Sequence, residues 1–160
     1  IVPLIITAAG MFFFYARINL VYTFTGVILA HVALATPFVV ITVTATLVGF
    51  DMNMVKAAQS LGAKPMRTFF KVIMPLILPG IISGALFAFI TSFDEVVIVM
   101  FMASIDQLTI PKQMWAGIRQ EISPVILCMA TCLVVLSIVL LTTVELLRRR
   151  SEKLRGIKAR

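Results

Sequence analysis

Apolar residues run almost unbroken from Ile1 to Phe50, give way to a polar island from Asp51 to Lys71, and resume at Val72. A helix that crosses a bilayer needs about 20 predominantly apolar residues. The pattern predicts four spanning helices, over about residues 1–16, 23–50, 72–93 and 124–147, with a polar elbow at 51–71 and a basic tail at 148–160. Arg17 to Val21 is the short polar break between the first two, with Tyr15 and Tyr22 beside it as aromatics do at a membrane interface. The first run starts abruptly, with no initiator Met, basic n-region or small-residue cleavage site. It therefore reads as a spanning helix and not as a signal peptide, and the expectation is that further chain precedes Ile1.

The second span carries His31, Thr36 and Pro37, with Gly49 near its inner end. Pro37 should kink it, the freed carbonyl being taken up by a threonine or a neighbouring helix. His31 has two readings, a proton-relay residue or a helix-packing hydrogen bond, and the second is the simpler. The third span, Val72 to Phe93, has Pro75 and Pro79 in its first turns. Gly80 and Gly84 make a small-xxx-small pair that lets another helix approach closely.

The polar island has its own internal order. Met52 to Leu61 is built from good helix formers, with Asp51 or Asn53 available as the N-cap. Gly62 stands where a helix ends in a left-handed C′ residue, and Pro65 opens a second short helix where a missing N–H does no harm. The prediction is a helix–Gly–helix elbow on the membrane surface.

Composition agrees with this layout: 61% of the 160 residues are hydrophobic and 13% charged, which excludes an ordinary soluble domain. The net charge of +7 is unevenly spread. The island holds four Lys/Arg against one acid, the stretch from Glu145 to the end seven against two, and Asp94 to Glu121 only two against four. By the positive-inside rule the elbow and the C-terminal tail face the cytoplasm, and the Asp94–Glu121 region lies outside. The basic residues flank spans and lack interleaved aromatics, so topology explains the charge without nucleic acid.

Asp94 and Glu95 end the third span and are followed by another apolar run, Val96 to Ala103. Acids set between apolar segments face a cavity, a pore or a protein partner rather than lipid. Carboxylates so placed would attract a cationic group, and Trp115 would offer one a cation–π face. The alternative is structural, with the acids contacting a partner or capping the helix–loop junction through Thr91, Ser92 or Lys112. Ser104 to Ile122, with Pro111 and Trp115, suits an interfacial loop or short helix, and Ser123-Pro124 reads as an N-cap with proline at N1. Cys128 and Cys132 lie four apart on one helix face, but no His, Asp or Glu nearby completes a metal site. Two buried small residues are the simpler reading, and no metal site is expected.

Lys56-Ala57-Ala58, three residues, Gly62, nine residues, then Val72-Ile73-Met74-Pro75 resembles the EAA loop of permease subunits in ABC importers. The family pattern reads Glu-Ala-Ala, three residues, Gly, nine residues, Ile, any residue, Leu-Pro. Here Lys56 replaces the glutamate, Val72 the isoleucine and Met74 the leucine, while both alanines, the glycine and Pro75 match. The order of segments resembles the last two-thirds of a six-helix type I ABC importer permease, an all-α membrane protein, with the four spans as its helices three to six. Ser92-Phe93-Asp94-Glu95-Val96-Val97, Leu108-Thr109-Ile110-Pro111 and Ile122-Ser123-Pro124 are similar to the spermidine/putrescine group of these permeases.

That resemblance implies a bacterial inner-membrane, multi-pass subunit that forms a path for a small solute, a polyamine or similar cation. It implies four kinds of partner: ATP-binding ATPase subunits, a second permease subunit, a periplasmic or extracellular substrate-binding protein, and the lipid bilayer. ATP and Mg would be held by the ATPase. Lys56, Ala57, Ala58, Gly62 and Pro75 would form the coupling elbow, with Ala58 expected to face the ATPase groove; Asp94, Glu95 and Trp115 would line the solute path. The chain itself has no G-x-x-x-x-G-K-[ST] phosphate loop and no nucleophile–base pair at usable spacing, so it is not expected to be an enzyme. Two other classes stay open on residues alone: an ion channel or proton-coupled carrier using His31, Asp94 and Glu95, and a non-transporting membrane scaffold.

Overall fold

A computed structural model describes residues 3–120 and 123–154. Every regular element among them is helical: α1 (Leu4–Arg17), α2 (Phe24–Val48), α3 (Asn53–Ser60), α4 (Pro65–Thr68), a π-helical turn (Phe69–Ile73), α5 (Met74–Phe93), α6 (Val97–Met102), α7 (Ile110–Gln120) and α8 (Pro124–Leu154). Three segments are long and apolar enough to cross a membrane: Phe24–Val48, Pro65–Phe93 and Pro124–Thr143. The first expected span is shorter, α1 having 14 residues, or about 21 Å of rise. Expectations at the extreme ends, including the tail beyond Leu154, lie outside the described residues. The backbone remains helical through Leu154, so the start of the basic segment continues α8.

The chain divides into two compact units, Ile1–Thr36 with Phe89–Leu141 and Pro37–Ala88 with Thr142–Arg160. In the first unit the core is α6 packed on α1. Ile98, Val99 and Met102 are fully buried, Ala8 and Ala30 close the cluster, and Phe12 meets Phe101 edge-on with centroids 6.4 Å apart. Six residues make too short a helix to persist alone, so α6 owes its form to this burial and to its caps.

The break between α1 and α2 is a built turn. Leu20 N–H bonds the Tyr15 carbonyl at 2.9 Å and Asn19 N–H the Ala16 carbonyl at 3.4 Å, with Asn19 at φ 55°. This is the paired closure that ends a helix on a left-handed residue, and asparagine tolerates it. Thr23 then caps α2, its hydroxyl accepting from Gly26 N–H at 3.0 Å.

In the second unit α5 lies against α2 along a seam of small residues. A Cβ at Gly80 would collide with the Thr46 side chain, and one at Gly84 would stand 3.2 Å from the Val39 Cα. The small-xxx-small pair thus has its partner, a Val39–Thr42–Thr46 stripe. Thr42 and Thr46 turn their hydroxyls back onto the Phe38 and Thr42 carbonyls, at 2.8 and 2.9 Å, and so present no unpaired polar group. Thr36 does the same at 2.6 Å to Val32. That carbonyl is one residue before the one Pro37 frees, so the threonine does not perform the repair expected of it.

Candidate functional site

The elbow is built as the sequence implies at both ends of its first helix. Asp51 Oδ1 accepts from the N–H of Asn53, the first residue of α3, at 2.9 Å, so the aspartate, one residue ahead of the Met52 N-cap, and not Asn53, satisfies an amide at this end. At the far end Ala63 N–H bonds the Ala58 carbonyl at 3.0 Å and Gly62 N–H the Gln59 carbonyl at 2.9 Å, with Gly62 at φ 79°. These two bonds form a Schellman closure. Lys64 is extended, as a residue before proline must be, and Pro65 is the first residue of α4.

Beyond that point sequence and structure part. The second short helix is not separated from the third span: α4, the π-helical turn and α5 follow one another without a break. The helix passes through Pro75 after first widening into the π turn, where Met74 N–H bonds the Phe69 carbonyl five residues back. In its backbone the elbow is therefore a helix–Gly corner joined directly to a span.

Packing of α3 on α4 and the π turn decides which elbow residues are displayed. Met54 and Ala57 lie on one face of α3, continued by Leu61 at its C-cap (i, i+3, i+7), and all three are exposed, Leu61 at 88%. Lys56 is exposed beside them, and Ala58 is half-buried. Ala57 is thus the more exposed of the two alanines, and Ala58, the one expected to face the ATPase groove, is partly covered. Met66, 71% exposed, adds another apolar side chain to this otherwise polar segment.

The acidic junction lies in the first unit. Asp94 and Glu95 adjoin in sequence yet differ sharply in setting, because α5 ends at Phe93 and the chain turns before α6. Asp94 is exposed and has no ion pair among the described residues. Glu95 is buried, and its Oε1 accepts from Ile98 N–H at 2.7 Å. A carboxylate at that place caps the N-terminus of α6 and faces the positive end of its dipole. At the other end of α6, Lys112 Nζ donates to the Ala103 and Ser104 carbonyls, both at 3.3 Å. The short buried helix therefore carries an anion at its N-terminus and a cation at its C-terminus. The junction-capping role raised for these residues thus falls to Glu95 and Lys112 and passes through the backbone of α6, with no hydrogen bond from Glu95 to Thr91 or Ser92 among the described residues.

Other contacts tie the same region together. His31 Nδ1 and Ser92 Oγ are 2.8 Å apart, which supplies the histidine's hydrogen-bond partner, and Glu95 is within coulombic reach of the imidazole. Tyr22, at φ 63°, donates its N–H to the Met102 carbonyl at 2.9 Å and accepts from Gln107 Nε2 at 3.2 Å. Sequence reasoning missed Gln107 and Tyr22; a tyrosine in left-handed backbone has no local signature. Trp115 is 49% exposed on α7 and meets neither acid among the described residues. The structure thus joins Glu95 to α6 and His31 to Ser92, and leaves Asp94 and Trp115 displayed separately. Cys128 and Cys132 are both free and exposed on α8, and not buried as their apolar setting implies.

Among the described residues all regular structure is helical, with three segments of membrane length and a helix–Gly corner leading into one of them, the architecture of an integral membrane protein. Residues 1–153 match the model of the "binding-protein-dependent transport system inner membrane component" family, and the chain belongs to that family. Among curated proteins it is 31% identical over 149 residues to the spermidine/putrescine transport system permease protein PotC of Haemophilus influenzae, covering 93% of this chain and 58% of that one. It is 30% identical over 151 residues to PotC of Escherichia coli K12, covering 94% and 57%. With the putrescine transport system permease protein PotI of the same strain it shares 37% over 103 residues, 64% of this chain and 37% of that protein. The chain thus spans a little under three-fifths of the PotC relatives' length, and these relatives are transport permeases rather than enzymes.

Proposed function

We propose that the chain is the membrane-spanning part of an ABC importer permease, lining the path of a polyamine-type cation and driven through its elbow by a separate ATPase. The observation that carries this reading is the exposed Met54–Ala57–Leu61 stripe beside the Gly62 closure, in a chain of the binding-protein-dependent family. Three apolar or small side chains displayed on a polar segment, next to a backbone corner joined to a span, suit a groove on a partner that pushes. Nucleotide-driven closure of two ATPase subunits would move two elbows, and the spans would rock between outward and inward openings. ATP and Mg would be held by the ATPase; a second permease subunit and a substrate-binding protein would complete the assembly. The elbow and tail would be cytoplasmic.

The solute class follows from the relatives, which are named for spermidine and putrescine. Of the two acids, Asp94 is the one free to receive an ammonium group, since the Glu95 carboxylate is held by α6. Trp115, exposed on α7, would meet the solute separately from Asp94. The His31–Ser92 bond favours packing over proton relay for that histidine.

The test is Ala57→Glu in the assembled transporter. A charged side chain on the displayed stripe should abolish ATP-driven uptake while the protein stays in the membrane at normal level, and Ala57→Ser should transport normally. Normal uptake by Ala57→Glu would overturn the coupling role of this surface.

A further inference from the structure

The π-helical turn Phe69–Ile73 has an identifiable cause and an unusual neighbour. Pro75 has no N–H, and its ring would strike the carbonyl of Lys71 if the helix were α throughout. The backbone widens just before it, so that Met74 N–H reaches the Phe69 carbonyl. Phe70's carbonyl is then passed over, because the next donor in the widened pattern would be Pro75 itself.

The neighbour is Thr68, the last residue of α4. It is 2% exposed, and its Oγ1 is buried with no hydrogen-bond partner among the described residues. Thr36, Thr42, Thr46 and Thr131 each bond the carbonyl four residues back, at 2.6 to 2.9 Å. Thr68 does not, although the Lys64 carbonyl stands in that position and already receives its N–H at 2.9 Å. A buried hydroxyl left unpaired beside a widened turn marks a conformation that a second arrangement would relieve.

We propose that this π turn, held open by Pro75, is the hinge between the elbow and spanning helix α5, and that the Thr68 hydroxyl re-pairs when the turn rearranges. The inference rests on the coupling reading above and adds the place where the push is absorbed. Displacing a π turn along a helix turns the intervening residues by about 100° and shifts them by about 1.5 Å, with little net loss of backbone bonds. An elbow joined to a span by unbroken helix can therefore move without unfolding the junction. The edge-on Phe69–Phe70 pair, centroids 5.1 Å apart, would be carried with it.

Hydrogen–deuterium exchange on the complete transporter in nanodiscs, with and without a non-hydrolysable ATP analogue, tests this directly. Amides of residues 69–76 should change exchange severalfold on nucleotide binding in the wild type. In Pro75→Ala, where an α pattern can close, these amides should be protected severalfold more strongly, insensitive to nucleotide, and uptake should fall. Thr68→Val, which keeps the shape and removes the hydroxyl, should reduce the nucleotide-dependent change. Exchange that ignores nucleotide in the wild type overturns the hinge, as does an unaltered nucleotide response in Thr68→Val. Failure of the coupling reading would look different: wild-type uptake would then not require ATP at all, whereas a failed hinge leaves ATP-driven uptake intact.

Discussion

Replacing Glu95 separates its two readings, solute ligand and helix cap. Glu95 is 6% exposed, and its carboxylate accepts a 2.7 Å bond from the N–H of Ile98, a fully buried residue. Hydrogen bonds to charged groups contribute about 1.5–3 kcal/mol and neutral ones about 0.5–1.5 kcal/mol. Glu95→Gln keeps an acceptor and loses the charge, so it should cost about 1 kcal/mol. Glu95→Ala leaves the Ile98 amide buried and unpaired, and should cost about 2–3 kcal/mol. Lys112→Met removes the counterpart at the other end of α6 and should also destabilise, by less, because water can replace a partly exposed donor. Asp94→Asn should leave stability unchanged, as that side chain is exposed and has no ion pair among the described residues, but should raise the KM for spermidine uptake. The assay is unfolding in mixed detergent micelles, read beside uptake in vesicles. If Asp94→Asn destabilised as much as Glu95→Ala, or Glu95→Ala cost nothing, the capping assignment would be wrong. Unchanged uptake affinity in both Asp94→Asn and Glu95→Gln would refute a cation-relay role for either acid.

Other outcomes follow from the same geometry. Gly62 sits at φ 79° with open space around its missing Cβ, so only the backbone resists substitution. Gly62→Val should cost about 1–2 kcal/mol and uncouple uptake, with Gly62→Asn close to wild type; equal activity of the two variants would contradict this. A Cβ at Gly80 would meet the Thr46 side chain, so Gly80→Ala should destabilise by about 1–3 kcal/mol. Thr46→Ala in the same chain should recover part of that loss, and strict additivity would mean the seam is misassigned. Single cysteines at Lys64 and Gln107, in a background without Cys128 and Cys132, should react with an impermeant thiol reagent from opposite sides of the membrane; same-side labelling would overturn the orientation.

Much of this fold was legible because its signals are local. Runs of apolar residues, Gly62 before Ala63-Lys64-Pro65, and Ser123-Pro124 each mark an element or its end without reference to distant parts of the chain. What could not be read depended on pairings far apart in sequence. His31 and Ser92 meet across 61 positions, and nothing near either residue names the other. The different fates of Asp94 and Glu95 depend on where α5 stops and α6 begins. That boundary is set by burial of Ile98, Val99 and Met102 and not by a breaker residue. The π turn was hidden for another reason: Pro75 announces a disturbance in the helix but does not say whether the backbone will kink, end or widen. Choosing Ala57 over Ala58 as the displayed alanine likewise required knowing that α3 packs on α4.

The central claim, that ATP hydrolysis drives solute through this subunit by way of its elbow, is tested most directly by reconstitution. The full-length protein, its partner permease, ATPase and binding protein would be placed in proteoliposomes with labelled spermidine outside and ATP within. Uptake should stop when vanadate blocks hydrolysis and should continue when an ionophore collapses the membrane potential. Uptake that survives vanadate and disappears with the potential would contradict the account and identify a secondary carrier.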